Sequence, residues 1–294
     1  MPAPTAHIGI LRHRGSLHPG HWHPSWGFPL GGTQKYVRRV DPTIENEIRE
    51  EFIQCLMRTF VRLQAEDTYR PFHGALLTEE ALFYSRLERS FSTSFGQSVV
   101  ERISKLVCES GGATSVERQH VSHVSLTNVQ WEEVEAIVRQ SRADRSYTPD
   151  WATDLRRVQD AANYGVPDTR RVIADLWWIK DGVEHFMSIK TVKPNLDQAA
   201  EAKRDLLRLA AGGQQREAHF GLYYNPYGES ATDYAFTPPM RVFNFDADGP
   251  VLIGRDYWDT LGGAGTYDSV IRLASEAGQE TRPLIRSLLQ AQNA

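Results

Sequence analysis

Apolar residues recur at helical spacing from Asp41 onward. Ile44, Ile48, Phe52, Leu56 and Phe60 follow Pro42 and Thr43, which predicts an amphipathic helix to about Leu63. A second helix is expected after Ser92-Thr93-Ser94. Its apolar face is Val99, Val100, Ile103, Leu106 and Val107, and Gly111-Gly112 ends it. Helices over about 129–141 and 151–163 come next, separated by the polar stretch Arg142–Tyr147. The period then changes. Val172–Ile179 and His185–Val192 are strand-like runs joined through Lys180-Asp181-Gly182-Val183. Asp-Gly between apolar runs predicts a hairpin, because both central residues of a type I′ turn need positive φ. Pro194-Asn195 opens a further helix carrying Leu196, Ala199, Ala200, Leu206, Leu207 and Ala210, and Gly212-Gly213 closes it. A strand over His219–Tyr224 ends at the turn Asn225-Pro226-Tyr227-Gly228. The last third holds the apolar runs Arg241–Phe245 and Val251–Ile253, then helices near 267–277 and 281–292.

This order, without repeats or a clean linker, predicts one elaborated α/β domain over residues 41–294, with its core at about 90–226. Residues 1–40 differ. His7, His13, His18, His21 and His23 lie there among Pro, Gly and Trp without periodicity or metal-ligand spacing, which predicts an irregular arm. Cys55 and Cys108 each fall in an apolar helical pattern, so buried free thiols are expected, though spacing does not exclude a disulfide. No apolar run nears the ~20 residues of a membrane span, and no signal-peptide core opens the chain; a cytoplasmic protein is expected. The formal net charge of −4 argues against a protein that coats nucleic acid through a general positive field. It leaves open an enzyme with a local basic cleft and carboxylates of its own.

The hairpin carries the chemistry. Counting back from Lys180 opposite Val183 puts Trp178 opposite His185, Trp177 opposite Phe186 and Asp175 opposite Ser188. Strand alternation then sets Lys190 on the face of Ser188, diagonal to Asp175. Trp177 shares that face by the same count and Trp178 does not, and both suit a core. An acid and a lysine on adjacent strands suit phosphodiester hydrolysis. The carboxylate takes a hard divalent cation, and the lysine orients or helps deprotonate the attacking water, or steadies the phosphate. The competing reading is a salt bridge on a solvated strand face. Glu101, on the helix preceding the hairpin, is either a further carboxylate for the site or an i,i+4 partner of Lys105.

The order of helix, hairpin, helix and strand resembles the PD-(D/E)xK nuclease core, a mixed sheet flanked by helices. Several blocks sharpen the likeness: Ser90-Phe91-Ser92-Thr93-Ser94-Phe95-Gly96-Gln97, Ala174-Asp175-Leu176-Trp177, Ser188-Ile189-Lys190-Thr191-Val192-Lys193-Pro194-Asn195 and Tyr224–Gly228. With Val251–Trp258 and Gly262–Tyr267, they resemble the TdeIII family of type II restriction endonucleases over about residues 44–280. That resemblance implies Mg²⁺-dependent cleavage of double-stranded DNA at a short palindrome of the GGNCC kind. It also implies a cognate DNA methyltransferase as genetic partner. A palindrome is most simply met by a homodimer. Asp175 and Glu101 would bind the metal, Lys190 would handle water or phosphate, and Ser188 would hydrogen-bond near the site. Ser188 departs from the pattern, which has an acid there. Glu101 is the expected substitute, ahead of Glu201 and Asp205 on the following helix. Arg204 cannot serve, and Glu184 falls on the other face.

DNA contacts are expected from Lys193, Arg142, Arg145 and Lys203, with Arg204 and Arg208 as further phosphate trackers. Arg89 and Ser92 would meet phosphate through a helix N-terminus, or simply cap it. The glycines at 262–265 lack a following Lys-Ser/Thr, so no P-loop is expected. A structure-specific repair nuclease and a catalytically degenerate DNA-binding module are the alternatives on the same core.

Overall fold

The computed structural model describes residues 40–65 and 70–292, so the five arm histidines lie outside the described residues. Helix α1 (Pro42–Ala65) runs as its apolar spacing predicts. After α2 (Pro71–Leu76), helix α3 (Glu79–Ser94) passes through a π-helical turn at Phe95–Val99 into α4 (Val100–Ser110). No helix therefore starts at Ser92-Thr93-Ser94. Thr93 donates back to the Arg89 carbonyl at 2.8 Å and Ser92 donates to Glu88 at 2.7 Å, so these hydroxyls are satisfied inside a helix. A phosphate site for Arg89 and Ser92 at a helix N-terminus is thereby removed.

Strand β1 (Ser115–Thr127) follows, then α5 (Asn128–Ala143), α6 (Trp151–Asp160) with a 3₁₀ turn to Asn163, β2 (Pro167–Lys180) and β3 (Val183–Lys190). Asp181 and Gly182 have φ of 52° and 80°, as the Asp-Gly turn requires. Helix α7 (Leu196–Ala211) starts with a reciprocal Asn195–Gln198 capping box and crosses to β4 (Arg216–Leu222). Val251–Ile253 is β5. Residues 241–245 are not a strand; Val242 and Phe243 instead bury against α7. Helix α8 (Arg255–Gly262) precedes α9 (Thr266–Gln292), which continues through Pro283 where two helices were expected.

The described strands form one sheet in the order β1-β2-β3-β4-β5, antiparallel across the first two pairings and parallel across the last two. This is the mixed, helix-flanked α/β architecture the sequence predicts. Helices α1, α4, α8 and α9 pack on one face around Leu176, Trp178, Met187 and Tyr257. Helices α5, α6 and α7 cover the other around Phe186, Leu207 and Phe220. Cys55 and Cys108 are buried and free. No described helix is long and apolar enough to cross a membrane.

Candidate active site

The hairpin register matches the count from its turn, with Lys180↔Val183, Trp178↔His185 and Trp177↔Phe186. The β2–β3 ladder stops after Leu176↔Met187, one step short of Asp175, and the two strands fork there. The β1–β2 ladder skips the same point, between Arg118↔Leu176 and His120↔Ala174. Gln119, the residue passed over, has φ 51°, a left-handed conformation that costs a non-glycine residue roughly 1–2 kcal/mol. The side-chain alternation resets at this break. Val116, Leu176 and Trp178 point to the α4 side, whereas Val124, Leu126, Val172 and Ala174 point to the α7 side although all seven are even-numbered. Trp177 thus packs in the α7-side cluster, stacked on His120 at 4.3 Å.

The Asp175 carboxylate fills the fork. Its Oδ2 accepts from the Ile189 amide at 2.7 Å and from Ser188 Oγ at 3.2 Å, with Lys190 Nζ at 3.6 Å. Its Oδ1 accepts from Gln119 Nε2 at 3.3 Å, and the same amide group donates to Glu101 Oε1 at 3.1 Å. Gln119 thereby holds two carboxylates to one point, one from the sheet and one from α4. Burial, with the charge of Asp175 adding, raises the Glu101 pKa against the opposing Gln119 hydrogen bond. Beneath, Ser104 and Tyr257 share a 2.6 Å hydrogen bond, and Gly221 leaves room for the Tyr257 ring.

Two acid oxygens converging on one amide nitrogen, one of them on a carboxylate burdened by burial, fit a hard divalent cation. Ser188 is buried and anchors Asp175. The other acids weighed for the site are occupied elsewhere or exposed. Asp205 pairs with Arg208 at 3.0 Å, Glu184 pairs with Arg216 at 2.8 Å, and Glu201 is exposed on α7. Lys105 pairs with Glu109 at 2.6 Å and leaves Glu101 to Gln119.

The expected DNA contacts separate. Lys193 is exposed over the Tyr227 ring at 5.0 Å, and Arg145 is exposed. Arg142 is ion-paired to Asp197, and Arg204 and Arg208 both pair with Glu135. Lys203 is a correction. It is wholly buried, 2.5 Å from Asp154 and 2.7 Å from the Val242 carbonyl, and reaches no surface on which DNA could lie. It belongs to an apolar stripe of α7, where a lysine is retained because Asp154 compensates its charge.

Among the described residues one other group has metal-ligand spacing, His185, Glu217 and His219, with ligand atoms within 4.8 Å. His185 Nδ1 and His219 Nε2 are 3.2 Å apart, and both rings stack on Trp178. The His219 Nδ1 is buried with no partner. A metal on Nε2 would strand a proton there, whereas ligating histidines normally donate that proton to an acceptor. A neutral histidine pair, with Nε2–H donating, suits this environment better.

The chain belongs to a family of type II restriction endonucleases. The family model described as "Type II restriction endonuclease, HinfI" matches residues 40–278. Among relatives, the type II restriction enzyme HgiEI of Herpetosiphon aurantiacus is 28% identical over 276 residues, covering 85% of this chain and 99% of its own. HgiBI of the same organism is 27% identical with the same coverage, and HgiCII is 27% identical over 74% of this chain and 80% of its own. No solved structure is significantly similar. The resemblance drawn from sequence blocks thus holds at the level of the type II restriction endonucleases, through the HinfI family model. By class the protein is a site-specific deoxyribonuclease.

Sequence reasoning missed Gln119, because β1 was not recognised. The signal present was the alternation of Val116, Val124 and Leu126, obscured by the break between them.

Proposed function

We propose that the chain is a Mg²⁺-dependent endonuclease of PD-(D/E)xK type, cutting double-stranded DNA at a short palindrome of the GGNCC kind, with Asp175, Glu101 and Lys190 at its centre. The observation that carries this reading is the convergence of Asp175 and Glu101 on Gln119, with Lys190 beside them. The TdeIII-like sequence blocks support the target class. Asp175 and Glu101 would hold the cation, which supplies charge neutralisation and a more acidic bound water.

The chain's own residues supply positioning. Ser188 and the Ile189 amide donate to Oδ2 and fix the carboxylate rotamer, leaving Oδ1 directed to Gln119 and Glu101. Lys190 orients the attacking water or helps remove its proton, or else steadies the attacked phosphate as an ammonium. A new P–O bond forms to that water, the bond to the 3′ oxygen breaks, and that oxygen takes a proton from solvent water, leaving a 3′-hydroxyl and a 5′-phosphate. Lys193, Arg145 and Arg142 would meet the duplex, Arg142 after releasing Asp197. A twofold dimer would match the palindrome, and a cognate methyltransferase would protect a cytoplasmic host genome. Residues 41–294 would form a single nuclease domain.

Plasmid digestion with Mg²⁺ and with chelator, followed by sequencing of the fragment ends, tests this reading. Discrete fragments sharing one palindrome at their ends are expected only with the cation. A smear, or preference for branched substrates, would favour a repair nuclease. Metal-independent binding without cuts would favour a degenerate module, for which Ser188 in the acid position is the supporting observation.

A further inference from the structure

The strands that frame the fork run well past it. Beyond Gln119 and Asp175, β1 and β2 continue as a paired ribbon to Thr127↔Pro167. Its even-numbered side is covered by α5 and α7 through Val124, Leu126, Val172 and Ala174. On its odd-numbered side the residues are exposed, with no described element packed over them. Three directly opposed pairs lie there in succession: Val121↔Ile173, His123↔Arg171 and Ser125↔Thr169. Val121 and Ile173 are 37% and 42% exposed, although the alternation offers polar residues on most other outer positions. Arg171 and His123 form no ion pair or hydrogen bond among the described residues. Arg170, one residue away, is by contrast tied down, paired to Asp168 at 2.7 Å and stacked over Trp131.

We infer that this open face of the β1–β2 ribbon, with Val121, Ile173, His123 and Arg171 as its reading residues, enters the groove of the DNA whose backbone is cut at Asp175. The inference rests on the endonuclease reading and extends it from catalysis to specificity. The face is continuous with the Glu101–Gln119–Asp175 cluster. A two-stranded ribbon fits the major groove, where an arginine fork suits guanine and an apolar branch suits the thymine methyl. The spacing agrees. At about 3.3 Å per residue, Val121/Ile173 lie about 7 Å and His123/Arg171 about 13 Å along the strands from the fork. With base pairs about 3.4 Å apart along the duplex, those distances are about two and four steps from the cut, the reach of a short site. The face carries no acid at these six positions, so a polyanion meets no opposing charge there.

The test uses the full chain and labelled duplexes, with Arg171→Ala, Arg171→Lys and the pair Val121→Ser with Ile173→Ser. The readouts are kcat/KM on the enzyme's own site and on singly substituted sites, binding without divalent cation, and melting temperature. Arg171→Ala should lower kcat/KM on the proper site by about 10- to 100-fold and narrow its advantage over one substituted position. Arg171→Lys should keep non-specific binding but not restore that advantage, since an ammonium lacks the fork. Unchanged melting temperatures would exclude misfolding. Ribbon variants that cut and discriminate like the wild type would overturn the inference and leave the endonuclease reading standing. A wild type that neither cuts nor shifts any duplex would remove both.

Discussion

Replacing Lys203 by alanine separates a structural lysine from a DNA-binding one. The ammonium is 0% exposed, lies 2.5 Å from Asp154, and donates to the Val242 carbonyl at 2.7 Å and the Tyr147 hydroxyl at 3.0 Å. Burial lowers its pKa, and Asp154 opposes that shift. Breaking a buried pair by removing one partner costs about 3–5 kcal/mol, because the other charge stays buried. The stranded Val242 carbonyl adds about 1–3 kcal/mol. Arg157, 3.7 Å from Asp154, and the Tyr147 hydroxyl remain to soften the loss. We expect a net loss of about 4 kcal/mol. At about 2–4 °C per kcal/mol for a domain of this size, the melting temperature should fall by about 8–16 °C. Replacing Lys203 by Met together with Asp154 by Leu should recover most of that loss. Thermal unfolding, alongside DNA binding at several salt concentrations in the cold, makes the comparison. A Lys203→Ala protein that melts like the wild type but binds DNA less tightly, with a shallower salt dependence, would refute the assignment.

Glu101→Gln should stabilise the metal-free protein at neutral pH while abolishing cleavage. The raised Glu101 pKa means that the unfolded chain releases this proton first as pH rises, so ionisation costs native stability through that window and above it. An equal or lower melting temperature would contradict this. The buried histidine pair acts in acid. Burial pushes His219 down to about 3 and lowers His185 as well, so below about pH 6.5 the unfolded chain takes up protons that the native state refuses. Stability should then fall with decreasing pH by up to about 1.4 kcal/mol per pH unit for each such histidine, and chemical denaturation of a His219→Gln variant across that range should show a flatter profile. Gly111→Ala should destabilise by about 1–3 kcal/mol, because its Cβ would stand 2.3 Å from the Leu261 carbonyl oxygen, a backbone atom that cannot step aside. Denaturant unfolding with no change in midpoint would contradict that.

The hairpin, the crossover helix and the strand after it were legible because local chemistry fixes them. Asp181-Gly182 sets the turn, Asn195 caps α7, and a strict count from the turn carries Asp175 to Ser188. The first strand was not legible. The left-handed Gln119 resets the alternation inside β1, so no single period spans Val116 to Leu126. The start of the helix bearing Glu101 was misplaced because Ser92 and Thr93 resemble a cap, yet their hydroxyls bond within the preceding turn. Lys203 could not be assigned from sequence, since a lysine on an apolar stripe differs from a surface one only through a partner, Asp154, that lies 49 positions away in the chain. Glu101 was nameable as a candidate, but its union with Asp175 through Gln119 depends on that unrecognised strand.

The most direct test of the fork as the reacting centre is single-turnover cleavage by Asp175→Asn and Lys190→Ala proteins, measured beside their binding to the same duplex. Both variants should fold and bind the site, yet cut at least about 1,000-fold more slowly than the wild type, the scale on which removing part of a charged reaction centre acts. Variants that bind and cut at wild-type rates would show that the chemistry occurs elsewhere.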